Sequence, residues 1–404
     1  MKKIAVLGYG TVGSGVVEVL SVNKDVIAKR VGEEIYIKKV LDLREFEGDP
    51  IQNKIVHDFN EIVNDDEISI VVETMGGIKP AYDFVKSCLL AGKSVATSNK
   101  ALVAAHGAEL LQIATSKNIH FLFEASVGGG IPIIRPLNAS LAADEIEEIT
   151  GILNGTTNYM MTKMFYEGAD YDTVLKEAQD NGYAEKNPEA DVEGHDAGRK
   201  IAILSSIISG KQVDFEDIYC EGITKITTKD VKYAKEMGGT IKLLAQAKRD
   251  GDKINAMVSP FIIYPEHPLF SVNDVFNAIF VKGNVLGDGM FYGSGAGKLP
   301  TASAVVSDVI EAARNPEKSV FVPWSTEKLE LEDKGETKRK FLIRIKGSSD
   351  EDKIRSLYGN VKMIAPEGVS GEYGFITEVM TESEMDEKIA TTKAEVLQVL
   401  RIEE

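Results

Sequence analysis

The stretch KIAVLGYGTVGSGVVEVL, residues 3–20, decides the predicted fold of the amino-terminal part of the chain. A short apolar run predicts a β-strand, the pattern Gly8-x-Gly10-x-x-Gly13 follows at once, and an apolar-periodic segment then predicts a helix. Glycines at these positions let the backbone turn tightly and approach a pyrophosphate at the positively polarised start of the helix. The stretch therefore predicts a Rossmann-type unit that binds a dinucleotide.

The end of the second predicted strand bears on the choice of cofactor. The segment EIYIKKVLD, residues 34–42, ends in Asp42, and Arg44 follows two residues later. Asp42 could accept a hydrogen bond from an adenosine ribose, which favours NAD, whereas Arg44 could pair with the 2′-phosphate of NADP. We expect NAD to be usable, and both cofactors stay open at this point.

Three more strands are predicted at 68–75, 93–99 and 119–126, and helical patterns at 80–92 and 106–118 separate them. Strands that alternate with helices predict a parallel, doubly wound sheet, whose ligands bind outside the carboxyl ends of the strands. Lys100 follows one of these strand ends. It could serve a cleft at that edge, or it could equally be an ordinary surface lysine.

The pattern changes after Pro136. Strands are predicted at 145–154, 218–227, 240–249, 253–263 and 277–293, and helices at 157–167, 171–181 and 192–209. Strands and helices without strict alternation predict an α+β second domain around a mostly antiparallel sheet. A second glycine-rich loop, 293–301, then leads into a predicted helix and offers another resting place for an anion or a cofactor edge.

The most unusual stretch is GYAEKNPEADVEGHDAGRK, residues 182–200, which places many carboxylates before an almost wholly apolar segment. Asp191 is predicted to cap a helix that ends near Gly210, and Lys200 lies on a buried face with Asp196 one turn earlier. A lysine in a partly desolvated, carboxylate-rich site can have its proton affinity tuned for acid or base catalysis. The alternative is a helix start whose carboxylates favour the helix dipole and whose lysine reaches water.

Composition excludes several classes of protein. The chain has 404 residues, 43% apolar and 27% charged, which is typical of a soluble globular protein with two or three domains. A net charge of −17 without a basic stripe argues against a nucleic-acid partner. No apolar run reaches the ~18 residues that a membrane span needs. The two cysteines, Cys88 and Cys220, form no ligand pair and fit a reducing, cytoplasmic location.

The last part of the chain follows a boundary. Ten of the fifteen residues from Thr326 to Lys340 are charged, which predicts a solvated connector. The succession of apolar and amphipathic segments after residue 340 predicts the order β-α-β-β-α-β.

Together these segments resemble one family, the homoserine dehydrogenases, over about residues 1–310. The resemblance is carried by GYGTVGSGV (8–16), VVETMGG (71–77), TSNKALV (97–103), FEASVGGGIPI (123–133), ILNGTTNYM (152–160), GYAEKNPEADVEGHDAGRKIAIL (182–204) and GSGAGKLPTASAVVSD (293–308). It implies the interconversion of homoserine and aspartate 4-semialdehyde with NADP or NAD, in the pathway from aspartate to threonine and methionine.

The resemblance also implies roles for individual residues. Lys200 matches the family's proton donor and Lys100 a second catalytic lysine. The implied substrate-binding residues are Glu185, Asp191, Asp196, Thr156 and Gly155. The implied cofactor-binding residues are Gly8, Gly10, Thr11, Val12, Gly13, Asp42, Arg44, Thr74, Met75, Ser98, Lys100, Gly182, Gly295 and Gly297. Carbonyls of Glu124, Val127, Gly129 and Ile131 match a site for a monovalent cation, sodium or potassium.

The resulting domain organisation has four parts. We expect an α/β Rossmann domain at 1–135, completed by 301–325, an α+β substrate and dimerisation domain at 136–300, a linker at 326–340, and a small βαββαβ domain at 341–404. The last part resembles the ACT domains that sense small molecules, but Lys346-Gly-Ser-Ser-Asp350 replaces the usual acidic-glycine turn. We therefore expect weak or no threonine inhibition. The resemblance also implies a homodimer through the open sheet of the second domain, or a tetramer that uses the carboxyl-terminal domain as well.

Three other functions remain as alternatives. Another semialdehyde or amino-acid dehydrogenase is possible, although aspartate-semialdehyde dehydrogenase needs an activated thiolate that neither cysteine offers by its context. A metal hydrolase is disfavoured because the five histidines lack ligand spacing. A non-catalytic dinucleotide sensor would not need both Lys100 and Lys200.

Overall fold

The chain, seen in a computed structural model that describes residues 1–403, is built on two β-sheets. The first sheet contains the strands β1 (Lys2–Leu7), β2 (Ile35–Leu41), β3 (Ile55–Val56), β4 (Ile68–Glu73), β5 (Ser94–Thr97) and β6 (Phe121–Leu122). All its pairings are parallel, in the order β3-β2-β1-β4-β5-β6. This is the Rossmann strand order, which confirms the prediction of a parallel dinucleotide-binding sheet.

The helices of this part are α1 (Thr11–Val22), α2 (Lys24–Val31), α3 (Asn60–Val63), α4 (Ala81–Leu90) and α5 (Lys100–Ser116). The sequence patterns did not predict α2, α3 or β3. They also placed the start of α5 too late. Lys100 is the first residue of that helix and not a strand-end loop residue, because the Asn99 side chain caps the helix by accepting a hydrogen bond from the Leu102 N–H at 3.1 Å.

The second sheet is mixed and mostly antiparallel, as predicted. Its first strands are β7 (Ile146–Ile152), β8 (Tyr219–Cys220), β9 (Thr240–Asp250), β10 (Lys253–Ile263), β11 (Phe276–Gly283) and β12 (Gly287–Ser294). They run in the order β12-β11-β7-β9-β10, and β8 pairs with β10. The helices around them are α6 (Gly155–Glu167), α7 (Tyr171–Asp180), α8 (Glu189–Val192), α9 (His195–Ser209), α10 (Thr228–Glu236) and α11 (Lys298–Arg314).

Two predictions in this region were wrong. The predicted strand 218–227 is a two-residue strand, and the helix α10 follows it with a capping box formed by Thr227 and Asp230. The predicted helix from Asp191 is broken in two, since α8 ends at Val192 and α9 begins at His195. Gly194 between them has a φ of +81°, a left-handed conformation that glycine adopts without strain.

Helix α11 returns the chain to the first sheet. It packs against α1 so closely that a Cβ on Gly15 would lie 2.7 Å from the Lys298 carbonyl oxygen. Val305 and Val309 of α11 share a buried core with Val16 and Leu20 of α1. The second glycine-rich loop, 293–301, thus leads from β12 of the second sheet into α11, which packs on the nucleotide-binding part of the protein.

The carboxyl-terminal strands are β13 (Lys338–Lys346), β14 (Lys362–Ile364), β15 (Glu372–Ile376), β16 (Met380–Thr381) and β17 (Val396–Ile402), and the helices are α12 (Glu351–Tyr358) and α13 (Glu382–Thr391). The strand–helix order agrees with the predicted β-α-β-β-α-β succession, and Glu404 lies outside the described residues. Four of these strands run in the order β17-β13-β15-β14, and β16 pairs with β13. They continue the second sheet, because β17 pairs in parallel with β10.

The charged connector differs from the prediction of a free, solvated linker ending at Lys340. Its backbone is tied to Gln212, whose N–H donates to the Glu327 carbonyl and whose carbonyl accepts from the Leu329 N–H, both at 2.8 Å. Leu329 and Leu331 pack against the main core, and β13 already begins at Lys338. Most of the charges therefore lie on the outer side of a segment that is bound to the body of the protein, whereas the Arg339 side chain is only 9% exposed.

Candidate active site

The glycine-rich turn after β1 has the close backbone approach that the sequence predicts. Gly8 has a φ of +91°, and a Cβ on Gly13 would lie only 1.9 Å from the Gly8 carbonyl oxygen. A Cβ on Gly10 would meet no atom within 4 Å, so Gly10 faces open space at the cap of α1. The first turn of α1, with Thr11 and Val12, leaves its N–H groups available to an anion placed at this turn.

Asp42 and Arg44 are bound to each other at the end of β2. The Arg44 guanidinium donates to both carboxylate oxygens of Asp42 at 2.9 Å, and the Tyr9 N–H donates to one of them at 2.8 Å. The side-chain hydrogen bond from Arg44 lowers the pKa of Asp42 well below its usual range. Asp42 is therefore ionised, and Arg44 is held beside it at the end of β2.

The tips of β4 and β5 lie beside this turn. The Thr74 hydroxyl donates to the carbonyls of Leu7 and Gly8, at 3.1 and 3.0 Å, and ties the tip of β4 to the glycine-rich turn. The Met75 N–H donates to the buried Glu73 carboxylate at 2.7 Å. The Ser98 N–H reaches the Glu73 carbonyl at 3.4 Å. These contacts bring Thr74, Met75 and Ser98 to one edge of the sheet, as the fold requires of cofactor-lining residues.

A cluster of two lysines and one buried aspartate forms where α5 and α9 meet. Lys200 is 8% exposed, and its Nζ donates to the Asp196 carboxylate at 2.7 Å and to the Leu153 carbonyl at 2.6 Å. Lys100 Nζ lies 2.6 Å from the other oxygen of Asp196, an ion pair without the alignment of a directional hydrogen bond. The structure thus brings the two predicted lysines to one carboxylate.

Burial and charge set the protonation of this cluster. Burial alone would raise the pKa of Asp196, but the ammonium groups of Lys200 and Lys100 outweigh it and hold that pKa below its usual value. Burial lowers the pKa of Lys200, Asp196 opposes this shift, and Lys100 adds to it. Lys200 is therefore a better proton donor than a solvent-exposed lysine.

Asn154, which the sequence analysis did not single out, organises the carboxylates. Its side-chain oxygen accepts from the Thr157 N–H at 2.9 Å and caps α6, while its Nδ2 donates to Asp191 at 2.7 Å and to Asp196 at 2.9 Å. Burial raises the pKa of Asp191, against the hydrogen bond from Asn154. An Asn that precedes a helix in the motif LNGTT is a capping signal, but nothing in the sequence shows that its amide reaches two aspartates.

The other predicted substrate residues lie around the start of α6. The Thr156 hydroxyl donates to the Tyr183 carbonyl at 2.5 Å, and a Cβ on Gly155 would lie 2.7 Å from the Val275 carbonyl oxygen. Gly182, with a φ of +74°, precedes Tyr183. Glu185 is exposed, and no hydrogen bond or ion pair within residues 1–403 joins its carboxylate to the lysine cluster.

The loop after β6 is held by its acidic residue. The Glu124 carboxylate accepts from the N–H groups of Ile133, Ile134 and Arg135 at 2.6–2.8 Å, so this side chain is fully engaged. By contrast, the hydrogen bonds between described residues outside regular elements include none to the carbonyls of Val127, Gly129 or Ile131, whereas Glu124 begins a 3-10 turn, Glu124–Ser126. Free carbonyl oxygens on one tight loop are the donor set that a hard monovalent cation takes.

The second glycine-rich loop touches this one. A Cβ on Gly129 would lie 2.4 Å from the Gly295 carbonyl oxygen, and the Gly130 N–H donates to the Ser294 carbonyl at 3.1 Å. Gly297, with a φ of +123°, immediately precedes α11. Gly295 and Gly297 therefore lie next to the loop that follows β6.

The alternative chemistries find no support in these side chains. Burial raises the pKa of Cys88 to about 12 and that of Cys220 to about 11, so neither thiol is an activated nucleophile. Within residues 1–403, no group of three or more His, Cys, Asp or Glu side chains could hold a metal ion. Across the same residues, every helix is too short or too polar to cross a membrane.

A Rossmann sheet with an open glycine-rich turn, beside a buried Lys200 and a half-exposed Lys100 on one aspartate, is the arrangement of an NAD(P)-dependent dehydrogenase. The model of the homoserine dehydrogenase NAD-binding domain matches residues 8–124, and the homoserine dehydrogenase model matches residues 132–310. The chain belongs to the homoserine dehydrogenase family, and it interconverts homoserine and aspartate 4-semialdehyde with NAD(P).

Individual relatives agree with this assignment. The chain is 43% identical to the homoserine dehydrogenase of Bacillus subtilis over 316 residues, which cover 78% of the chain and 73% of the relative. It is 42% identical to that of Corynebacterium glutamicum over 376 residues, or 91% and 84% of the two chains. The crystal structure of a homoserine dehydrogenase from Thiobacillus denitrificans superposes with a TM-score of 0.93 at 34% identity, covering 100% of this chain and 98% of the other. A hyperthermophilic archaeal homoserine dehydrogenase in complex with NADPH matches with a TM-score of 0.66 at 28% identity, covering 77% and 97%.

Proposed function

We propose that Lys200 is the acid and base of the homoserine dehydrogenase reaction. The observation that carries this proposal is the buried ammonium held by Asp196 and the Leu153 carbonyl. An ammonium group has three N–H donors, and these two contacts use two of them. The third donor is left for the oxygen of the substrate.

The bound cofactor supplies a hydride to the aldehyde carbon when the semialdehyde is reduced. Negative charge then develops on the aldehyde oxygen, and the Lys200 ammonium neutralises this charge and transfers its proton to the oxygen. In the reverse direction, neutral Lys200 removes the hydroxyl proton of homoserine. The lowered pKa of Lys200 favours both roles.

Lys100 supports this step as a second positive charge. Its ammonium lies 2.6 Å from Asp196, and its side chain is 42% exposed, so it can also reach a ligand in the cleft. With both lysines beside it, Asp196 stays ionised and holds Lys200 in place. We assign Lys100 to electrostatic stabilisation of the developing oxyanion.

The substrate's ammonium group is assigned to the carboxylates of Asp191 and Glu185. Asn154 fixes the orientation of Asp191, whereas Glu185, on an exposed segment, closes on the ligand from the side of α7. The start of α6 at Gly155 and Thr156 would receive the substrate's carboxylate, because helix N-termini favour anions.

For the cofactor, we propose that both NAD and NADP are used, with Asp42 and Arg44 deciding the preference. Asp42 repels a 2′-phosphate while it is free, whereas its two hydrogen bonds with Arg44 reduce that repulsion and leave the outer edge of Arg44 for the phosphate. The free carbonyls of the loop after β6 would hold sodium or potassium and brace the turn at Gly128–Gly130.

The remaining assignments follow from the tail and the open sheet. We propose that residues 341–403 form an ACT-like unit whose altered turn at Lys346–Asp350 leaves it a poor threonine sensor. The protein is proposed to be a cytoplasmic homodimer that forms through the second sheet. A larger assembly through the carboxyl-terminal unit would appear as a tetramer in light scattering.

The central test is an assay of the purified protein with homoserine and each of NAD and NADP, with sodium or potassium as the only monovalent cation. Reduction of at least one cofactor is expected. The variant Lys200→Met, assayed under the same conditions, should be nearly inactive. Full activity of that variant would remove Lys200 from the role of acid.

A further inference from the structure

The last strand of the chain is inserted beside the substrate-binding part of the protein. Strand β17 pairs in parallel with β10, with Arg401 opposite Phe261 and Ile402 opposite Ile262. The Glu403 N–H then donates to the Ile262 carbonyl at 2.9 Å. The carboxyl-terminal unit is therefore joined to the second sheet by backbone hydrogen bonds as well as by side chains.

Arg401 forms one of these side-chain links. It is 6% exposed, and its guanidinium donates to both carboxylate oxygens of Glu382, at 2.8 and 2.7 Å, within its own unit. Its remaining nitrogen crosses to the other unit and donates to Glu221 at 2.5 Å and to the Ser259 hydroxyl at 2.8 Å. One buried guanidinium thus joins the tail to the segment that contains Glu221.

The segment that contains Glu221 supports the turn between α8 and α9. A Cβ on Gly222 would lie 2.0 Å from the Val192 carbonyl oxygen, and the Ile223 N–H donates to this carbonyl at 2.8 Å. The Glu221 N–H is itself fixed by the Val258 carbonyl of β10 at 2.8 Å. On the other side of the turn, a Cβ on Gly194 would lie 3.0 Å from the Val258 side chain.

This turn sits between the two carboxylates of the active site. Asp191 immediately precedes Val192, and Asp196 follows Gly194 by two residues. We propose that Arg401 and Glu221 form a positioning link, through which the carboxyl-terminal unit holds the Asp191–Asp196 segment in its substrate-binding geometry. The inference rests on the proposed roles of Asp191 and Asp196, and it makes Arg401 and Glu221 positioning residues that touch neither substrate nor cofactor.

The link is suited to this role because buried charges demand good geometry. A desolvated guanidinium whose partner moves loses attraction without regaining hydration, so Arg401 resists displacement of Glu221. Displacements of about 1 Å at substrate-positioning residues can lower activity by up to ~10²-fold. Loss of the link should therefore weaken substrate binding. It should leave cofactor binding unchanged, because the glycine-rich turn after β1 belongs to the other sheet.

The test is Glu221→Met in the full-length enzyme, compared with Glu372→Met as the matched control. Glu372 is a buried carboxylate that joins the same carboxyl-terminal unit to α10 through Lys229, and that also binds Arg344, but it does not contact the 192–194 turn. We expect the KM for homoserine to rise about 5- to 50-fold in Glu221→Met, with less than about a twofold change in the KM for the cofactor. Glu372→Met should leave both constants near those of the parent.

Two further variants make the result decisive. Glu221→Gln keeps an oxygen that accepts from Arg401, so it should retain a KM within about threefold of the parent. Asp191→Asn tests the proposed substrate site itself. If Asp191→Asn raises the KM for homoserine and Glu221→Met does not, the positioning link is refuted, whereas no effect of Asp191→Asn refutes the proposed site. Equal effects of Glu221→Met and Glu372→Met would show general loosening of the tail and would also overturn the inference.

Discussion

Replacing Lys200 by Met tests the chemistry most directly. The thioether has nearly the length of the lysine stem but no proton to give, so the variant removes the acid and leaves the shape of the buried face. General acid catalysis contributes about 10²–10⁴-fold. The expected fall in kcat therefore corresponds to about 2.7–5.5 kcal/mol of lost transition-state stabilisation.

The fold should survive this change. The variant loses the hydrogen bonds to Asp196 and Leu153, at 2.7 and 2.6 Å, but it also relieves the desolvation cost of an ammonium that is 8% exposed. Asp196 keeps Lys100 at 2.6 Å as its counter-charge. Thermal unfolding should thus shift by only a few degrees, since these opposing terms are each of the order of a few kcal/mol.

The assay is homoserine oxidation at saturating substrate and cofactor, followed by cofactor absorbance over a range of pH. Because neutral Lys200 is the base in this direction, the parent's kcat should rise with pH through the lowered pKa of Lys200, and the variant should lose this dependence. Lys163→Met is the control, since Lys163 pairs with Glu167 on the outer side of α6. A fall in kcat of less than about tenfold, or an unchanged pH profile, would refute the assignment of Lys200 as acid and base.

Three more changes have defined outcomes. Lys100→Met leaves Asp196 with one counter-charge and should lower kcat by about 10²-fold, with thermal unfolding as a check on the fold; a kcat near that of the parent would contradict the role of Lys100. Asp42→Ala frees Arg44 for a 2′-phosphate and should raise the ratio of kcat/KM for NADP to that for NAD by about tenfold, since a charged hydrogen bond contributes ~1.5–3 kcal/mol; a ratio that falls would show that Arg44 does not face the phosphate. Burial lowers the pKa of Lys242 to about 8, so between pH 8 and 10 the unfolded chain holds a proton that the folded chain has released, and the free energy of unfolding should rise by about 1.4 kcal/mol per pH unit. Urea unfolding should show this slope in the parent but not in Lys242→Met, and parallel curves would refute it.

The nucleotide-binding sheet was predictable because its strands are buried on both faces. Residues 4–7 and 68–73 are continuous or nearly continuous apolar runs, which single-sequence periodicity detects well. The missed elements α2 and α10 are short, highly charged helices. Only Ile27 is buried in α2, whereas α10 begins with a capping box and buries Asp230, Val231, Tyr233 and Ala234. Their helical structure depends on docking to the core, which the sequence pattern of so short a segment does not show.

The pairing of Lys200 with Asp196 could be predicted for a similarly local reason. Two residues four positions apart on one helix face each other whatever the tertiary structure. The partners of Asp196 from other elements could not be predicted from the sequence. Lys100 reaches Asp196 from α5, and Asn154 reaches it from the start of α6. Such contacts are decided by how helices pack, which spacing along the chain does not encode.

The prediction of a solvated linker at 326–340 differs from the structure for another reason. Its composition was correctly seen as charged, but composition describes side chains, whereas the backbone of 327–329 is bound to Gln212. Composition likewise does not show that Arg401 and Arg344 of the predicted small domain bury their charges against the rest of the protein. Truncation after Pro323 would also remove Trp324, which packs on Gly107 of α5, so it would disturb more than the carboxyl-terminal unit.

The ion pairs of Asp196 make the active site depend on both sheets at once. Lys200 and Asp196 belong to α9 beside the second sheet, whereas Lys100 opens α5 beside the nucleotide-binding sheet. If the two parts separated, Asp196 would lose one of the two charges that hold its pKa low, and its grip on Lys200 would weaken. If Lys200 has the proposed role, proton transfer is efficient only while the cofactor-binding and substrate-binding parts are in register, which is also the arrangement that hydride transfer between their ligands requires.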